Sequence, residues 1–166
     1  KRQVYVLHPP GGIVAGDRLE LDIQLEAGSH ALLTMPGASK FYRSIGPTAR
    51  LTQRFHLAAG STLEWLPQDS IFFSGARARL ASHFTLEPGA RLLAWETLCL
   101  GRPVMLERFD QGALYSLLHI TLAGETGLHE RLRIEGGQLG KLGGHPLLAS
   151  FCAAPADQAL LEQVRP

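Results

Sequence analysis

Six carboxylates stand in or beside strongly apolar segments: Asp17, Glu64, Asp69, Glu96, Glu107 and Glu130. A carboxylate in such surroundings either turns to solvent on the far side of its strand or is held inside with partners. Glu64 lies between Leu63 and Trp65, so two-residue alternation sends it to the solvated face opposite those side chains. Glu96 and Glu130 have no such simple reading. They fall in neighbouring units of a repeat, where equivalent positions can align into a column. A carboxylate column suits a hard or borderline divalent ion moving through weak oxygen sites. It equally suits two-carboxylate acid–base work on a sugar, with Glu96 acting beside Glu130 or Asp69. Both readings stay open on the residues alone.

Other chemistry is less visible. The histidines (His8, His30, His56, His83, His119, His129 and His145) form no HExxH, HxH or CxxC…H spacing, so no metal site is legible. His56, His83 and His119 sit in or beside strand patterns, where a surface or satisfied interior role is the default. The run Pro9-Pro10-Gly11-Gly12-Ile13-Val14-Ala15-Gly16-Asp17 lacks a GK[ST] ending, and no helix pattern follows it. Nucleotide binding is therefore not expected there. Ser39 beside Lys40 lacks the G-x-S-x-G context of a nucleophile and reads as a turn. Cys99 and Cys152 lie far apart in apolar settings, as buried free thiols in a reducing cytoplasm would.

The elements that must position these groups come from a repeat. Leu25-x-x-Gly28, Leu57-x-x-Gly60 and Leu86-x-x-Gly89 recur at steps of 32 and 29 residues. Apolar residues precede each glycine by five (Ile23, Phe55, Phe84) and follow it by three (Ala31, Leu63, Leu92). That is period two broken by a turn: two strands with one buried face, joined at a glycine. A further apolar segment ends each unit, at Lys40-Phe41-Tyr42, Ile71-Phe72-Phe73 and Leu98-Cys99-Leu100. A weaker fourth unit is expected over Leu118–Ile134, turning at Leu122-Ala123-Gly124. Asp157 reads as an N-cap, with Leu160, Leu161 and Val164 on one helical face. The expected fold is all-β: one domain over 1–166, an irregular stacked β-coil (β-helix-like) with a short C-terminal helix.

Composition narrows the partners. Net charge is +1, from 16 Lys and Arg against 15 Asp and Glu, and no basic block stands out along the chain. A nucleic-acid partner is not expected on that ground. No apolar run reaches the ~18 residues of a membrane span. Hydrophobic residues make up 45% and charged ones only 19%, a balance that fits either a well-filled core or apolar surface meeting a protein partner.

Four ordered motifs resemble the UreD (UreH) family of urease accessory proteins. They are Leu7-His8-Pro9-Pro10-Gly11-Gly12-Ile13-Val14-Ala15-Gly16-Asp17, Met35-Pro36-Gly37-Ala38-Ser39-Lys40-Phe41-Tyr42-Arg43-Ser44, Leu63-Glu64-Trp65-Leu66-Pro67-Gln68-Asp69 and Leu100-Gly101-Arg102-Pro103. The resemblance covers essentially the whole chain and departs at Ala15, where the family often has a second glycine. Members are longer at both ends, so it implies that 1–166 is a fragment lacking the family's termini. It implies a mostly β fold and a non-enzymatic cytoplasmic scaffold that binds urease subunits and recruits UreF- and UreG-type partners. It also implies that Ni²⁺ passes transiently, with no tightly bound cofactor, along a track mapping onto Asp17, Ser39, Glu96 and Glu130. The alternative carried beside it is a carbohydrate-active β-solenoid enzyme using paired carboxylates.

Overall fold

The computed structural model describes every residue except Pro9, 159–161 and 164–166. In chain order the strands are β1 (Arg2–Tyr5), β2 (Arg18–Leu25), β3 (His30–Thr34), β4 (Ser39–Phe41), β5 (Ala49–Leu57), β6 (Thr62–Leu66) and β7 (Ser70–Phe72). They continue as β8 (Arg77–Leu86), β9 (Arg91–Arg102), β10 (Glu107–Arg108), β11 (Ala113–Leu122), β12 (Glu125–Glu135) and β13 (Leu147–Ala154). Two sheets face each other. One runs β1-β3-β6-β9-β7-β4, with β10 and β13 also pairing β9; the other runs β12-β11-β8-β5-β2. Three coils stack: β2-β3-β4, β5-β6-β7 and β8-β9, each strand parallel to its equivalent in the next coil. This is a β-solenoid of about three turns.

The recurring offsets become rungs. Leu25, Leu57, Leu86 and Leu122 are register partners in successive strands, as are Ile23, Phe55, Phe84 and Ile120. Stacking like on like lets flat rings lie face to face: Phe55 and Phe84 centroids are 4.6 Å apart at an interplanar angle of 7°. Phe41 and Phe72 do the same at 4.6 Å in the sheet that holds β4 and β7. The turn glycines Gly28, Gly60 and Gly89 all hold positive φ.

Two expectations need correction. The fourth unit does not coil. Leu122 pairs with Glu125, so Ala123-Gly124 is a two-residue loop with φ of 48° and 88°. Two consecutive positive φ values make a hairpin turn, and β12 returns antiparallel beside β11 in the same sheet. The vacant position in the other sheet is taken by β13, antiparallel to β9. The third unit also differs: its expected second and third strands are one strand, β9, which pairs first with β6 and then with β7. The helical face expected at Leu160, Leu161 and Val164 lies outside the described residues.

The loop into β11 is fixed by a close approach. Gly112 has φ +106°, and a Cβ there would meet the Ala76 carbonyl oxygen at 2.2 Å. Backbone cannot yield as a side-chain tip can. Gly112→Ala should lower stability by about 2 kcal/mol or more, read as a drop in the urea midpoint. An unchanged midpoint would mean that the loop runs elsewhere.

Candidate functional site: a polar seam inside the stack

Inward positions along each strand are apolar with few exceptions, and the exceptions meet. In β5 the inward series is Ala49, Leu51, Gln53, Phe55 and Leu57, in β8 Ala78, Leu80, Ser82, Phe84 and Leu86. In β11 it includes Leu114, Ser116 and Leu118, and in β9 Leu92, Ala94, Glu96, Leu98 and Leu100. Gln53, Ser82 and Ser116 are buried polar residues. The two buried apolar clusters lie on either side of them, one around Phe55, Trp65 and Phe84, the other around Phe72, Leu80 and Phe109.

Glu96 is the centre of this seam. Ser82 Oγ donates to Glu96 Oε1 and Ser116 Oγ to Glu96 Oε2, each at 3.4 Å. Gln53 Nε2 reaches Ser82 Oγ at 3.5 Å, extending the line. Glu96 keeps some exposed surface, yet its carboxyl lies deep in protein mass. Burial pushes it up to about 7, against the lowering effect of the two serine hydroxyls; the Glu130 carboxylate adds a smaller push upward. Two cavities of about 10 Å³ each flank it. Trp65, Ser82, Phe84 and Ser150 help to line one; Ser116, Glu130 and Ser150 help to line the other. Each has room for roughly one water molecule.

The residues expected to lie on one track divide. Glu96 and Glu130 do meet, but across the interior from opposite sheets and not as a column within one sheet. Glu130 is exposed on β12, so the seam opens to solvent there. Ser39 is half-buried at the other end. It lines a cavity of about 180 Å³ that also touches Gln53, and an outer cleft of about 370 Å³ formed with Pro10, Gly11, Gly12, Met35 and Lys40. Asp17 lines none of these spaces. Its carboxylate accepts the Val14 N–H at 2.9 Å and closes the turn before β2. Asp69 is exposed ahead of β7 and is not among the residues lining the cavities at Glu96. A dyad of Glu96 with Glu130 encloses a space too small for a sugar ring, so the carbohydrate reading loses its site.

The remaining motif residues hold the framework. A Cβ on Gly12 would strike the Tyr42 ring at 2.3 Å, and Tyr42 Oη donates to the Gly11 carbonyl at 3.1 Å. Pro9 lies outside the described residues. Arg102 pairs with Glu107, holding that carboxyl below the usual range, and lies over the Phe73 ring at 4.5 Å. Glu64 faces outward, held low by Lys1 at 2.7 Å and His30 at 2.8 Å. Cys99 and Cys152 are free thiols, half-buried and not buried as expected: Cys99 takes the outward parity of β9 between the inward Leu98 and Leu100, while Cys152 points inward from β13 and helps to line the cavity beside Glu96. His83, His119 and His129 line up across the outer face of β8, β11 and β12, with His119 and His129 Nδ1 atoms 3.0 Å apart. Among the described residues no group of three or more His, Cys, Asp or Glu side chains converges as a metal-binding set. Among the described residues no helix is long and apolar enough to cross a membrane.

Fold and site together define a β-solenoid protein whose polar groups converge inside the stack, around one carboxyl of raised affinity for a proton. A family model described as UreD urease accessory protein matches residues 2–166. The chain belongs to that family. It is 90% identical over 163 residues to the urease accessory protein UreD of Pseudomonas putida KT2440, covering 98% of this chain and 59% of that protein. Against the proteins of the same name from Enterobacter sp. strain 638 and Klebsiella aerogenes the identities are 54% and 51% over 162 residues. Those matches cover 98% of this chain and 59% and 60% of the relatives. The chain thus spans about three-fifths of the length of the curated relatives it matches.

Proposed function

We propose that this chain is the β-solenoid part of a non-catalytic urease maturation factor, acting in the cytoplasm. In this reading it binds apo-urease and, with UreF- and UreG-type partners, helps to pass Ni²⁺ to the urease active site. The observation that carries the passage is the polar seam from Ser39 through Gln53, Ser82, Glu96 and Ser116 to Glu130, set in an otherwise apolar interior. Its donors are carboxylate, hydroxyl and amide oxygens. Such donors hold a borderline ion less firmly than thiolates or imidazoles, so an ion that enters can leave. A cation arriving at Glu96 would displace the proton that burial keeps there, coupling transit to proton release. Asp17, at the turn beside β2, enters this reading through the family resemblance and not through the seam.

The test is nickel content. In cells co-expressing urease and its accessory proteins, the Asp17→Ala/Glu96→Ala/Glu130→Ala triple variant should still co-purify with the urease subunits, while the urease recovered carries several-fold less nickel. Glu96→Ala alone should account for more of the loss than Asp17→Ala. Normal nickel loading in the triple variant rejects the passage, whereas loss of co-purification points to docking instead.

A further inference from the structure

The chain has no basic block in sequence, yet the fold assembles one. On the outward face of the five-stranded sheet, Arg18, Arg50 and Arg79 are register partners in β2, β5 and β8. The row continues through Tyr115 in β11 and Arg133 in β12. Arg77 stands two residues before Arg79 on the same face of β8. Strands about 4.8 Å apart make this row roughly 19 Å long. Arg50, Arg77, Arg79, Tyr115 and Arg133 line a cleft of about 290 Å³.

Charge along the row is poorly neutralised. One carboxylate, Glu135, lines the cleft, and Arg133 engages it at 2.7 Å. Arg79 lies over the Tyr115 ring at 4.7 Å. Arg18, Arg50 and Arg77 have no acidic partner among the described residues. Farther along the same face Arg54 is neutralised, meeting Glu20 at 3.1 Å and Asp22 at 3.4 Å. Like charges directly opposite each other destabilise a sheet. A row left bare at that cost has a use for an anion.

We propose that this arginine row docks the acidic face of a protein partner. Its length decides against a single phosphate, which two or three guanidiniums would satisfy and which is typically cradled by backbone N–H groups. Nucleic acid fits less well, because the single aromatic ring of the row is already covered by Arg79. An acidic helix fits best: carboxylates at i and i+4 stand about 5–6 Å apart, close to the rung spacing. The row leaves the strands on the face opposite the interior seam, so this docking goes beyond the maturation reading and is tested apart from it.

The experiment is fluorescence anisotropy on the full chain with a labelled synthetic helical peptide carrying glutamate at i and i+4 over four turns. Binding should weaken about tenfold between roughly 50 mM and 300 mM NaCl. Arg50→Gln/Arg79→Gln should weaken it by about tenfold at low salt, with the thermal midpoint unchanged or raised because repulsion is removed. If that pair fails to fold, Arg18→Gln/Arg77→Gln removes two other charges of the same face and should show the same loss. Equal binding by parent and variant, or no binding by the parent, overturns the proposal. So does preferential binding of inorganic pyrophosphate, or of a single-stranded oligonucleotide, over the peptide.

Discussion

Glu96→Gln should make the chain more stable than the parent at pH 8 by about 3 kcal/mol, while the two are nearly equal at pH 4.5. The cause is the position of the carboxyl. Unfolded, it titrates near 4.5; folded, burial holds it at about 7. Between those values the folded chain binds a proton that the unfolded chain has released. Stability linked to Glu96 therefore falls as pH rises from 4.5 to 7 and is flat above. Glutamine keeps the hydroxyl partners Ser82 and Ser116 and carries no charge to desolvate, so its variant escapes that slope. Glu64 and Glu107 act in the opposite sense. Lys1 with His30, and Arg102, hold them below the usual range, so their contribution is lost only as pH falls below 4.5. Urea unfolding of both chains at a series of pH values checks this. Parallel curves across pH 5–8 would mean that the Glu96 carboxyl is solvated in the folded state. A residue that costs stability at neutral pH and is nonetheless set at the centre of the seam makes structural economy a poor reason for its presence, which is the link between this measurement and nickel loading.

The sequence carried the repeat well because parallel coils impose a rule that can be read from one strand. Leucine before each turn and an aromatic or aliphatic residue two positions earlier mark the inward face, and their rungs fell where spacing put them. The end of the stack was harder. A coil and a hairpin differ there by the length of one turn, and Ala123-Gly124 carries that difference in two φ angles. Glu96 was legible as unusual because it interrupts an apolar run. Gln53, Ser82, Ser116 and Ser150 were missed, although the same alternation marks the first three: each is a polar residue at an inward parity between apolar ones. The arginine row could not be seen by scanning for clusters. Its members are about thirty residues apart along the chain and become neighbours only through register.

The rung of rings gives the largest expected loss. Phe84→Ala should destabilise the chain by about 3–5 kcal/mol. Phe84 is 2% exposed, stacked on Phe55, which in turn meets Trp65 at 5.0 Å between centroids. Truncation removes the ring's buried area, opens a void between two coils and leaves Phe55 without its parallel partner. A double-mutant cycle with Phe55→Ala isolates the stacking, expected at about 0.5–1.5 kcal/mol. In a solenoid each coil contacts only its neighbours, so the damage should centre on the β5–β8 junction. Amide exchange would then quicken there before it does at the Phe41–Phe72 stack. Phe84 also lines the cavity beside Glu96. Emptying that wall admits water to the carboxyl and should draw its titration back toward 4.5, so Phe84→Ala and Glu96→Gln should be non-additive at pH 8. A loss under about 1 kcal/mol, or strict additivity, would separate the aromatic rung from the polar seam.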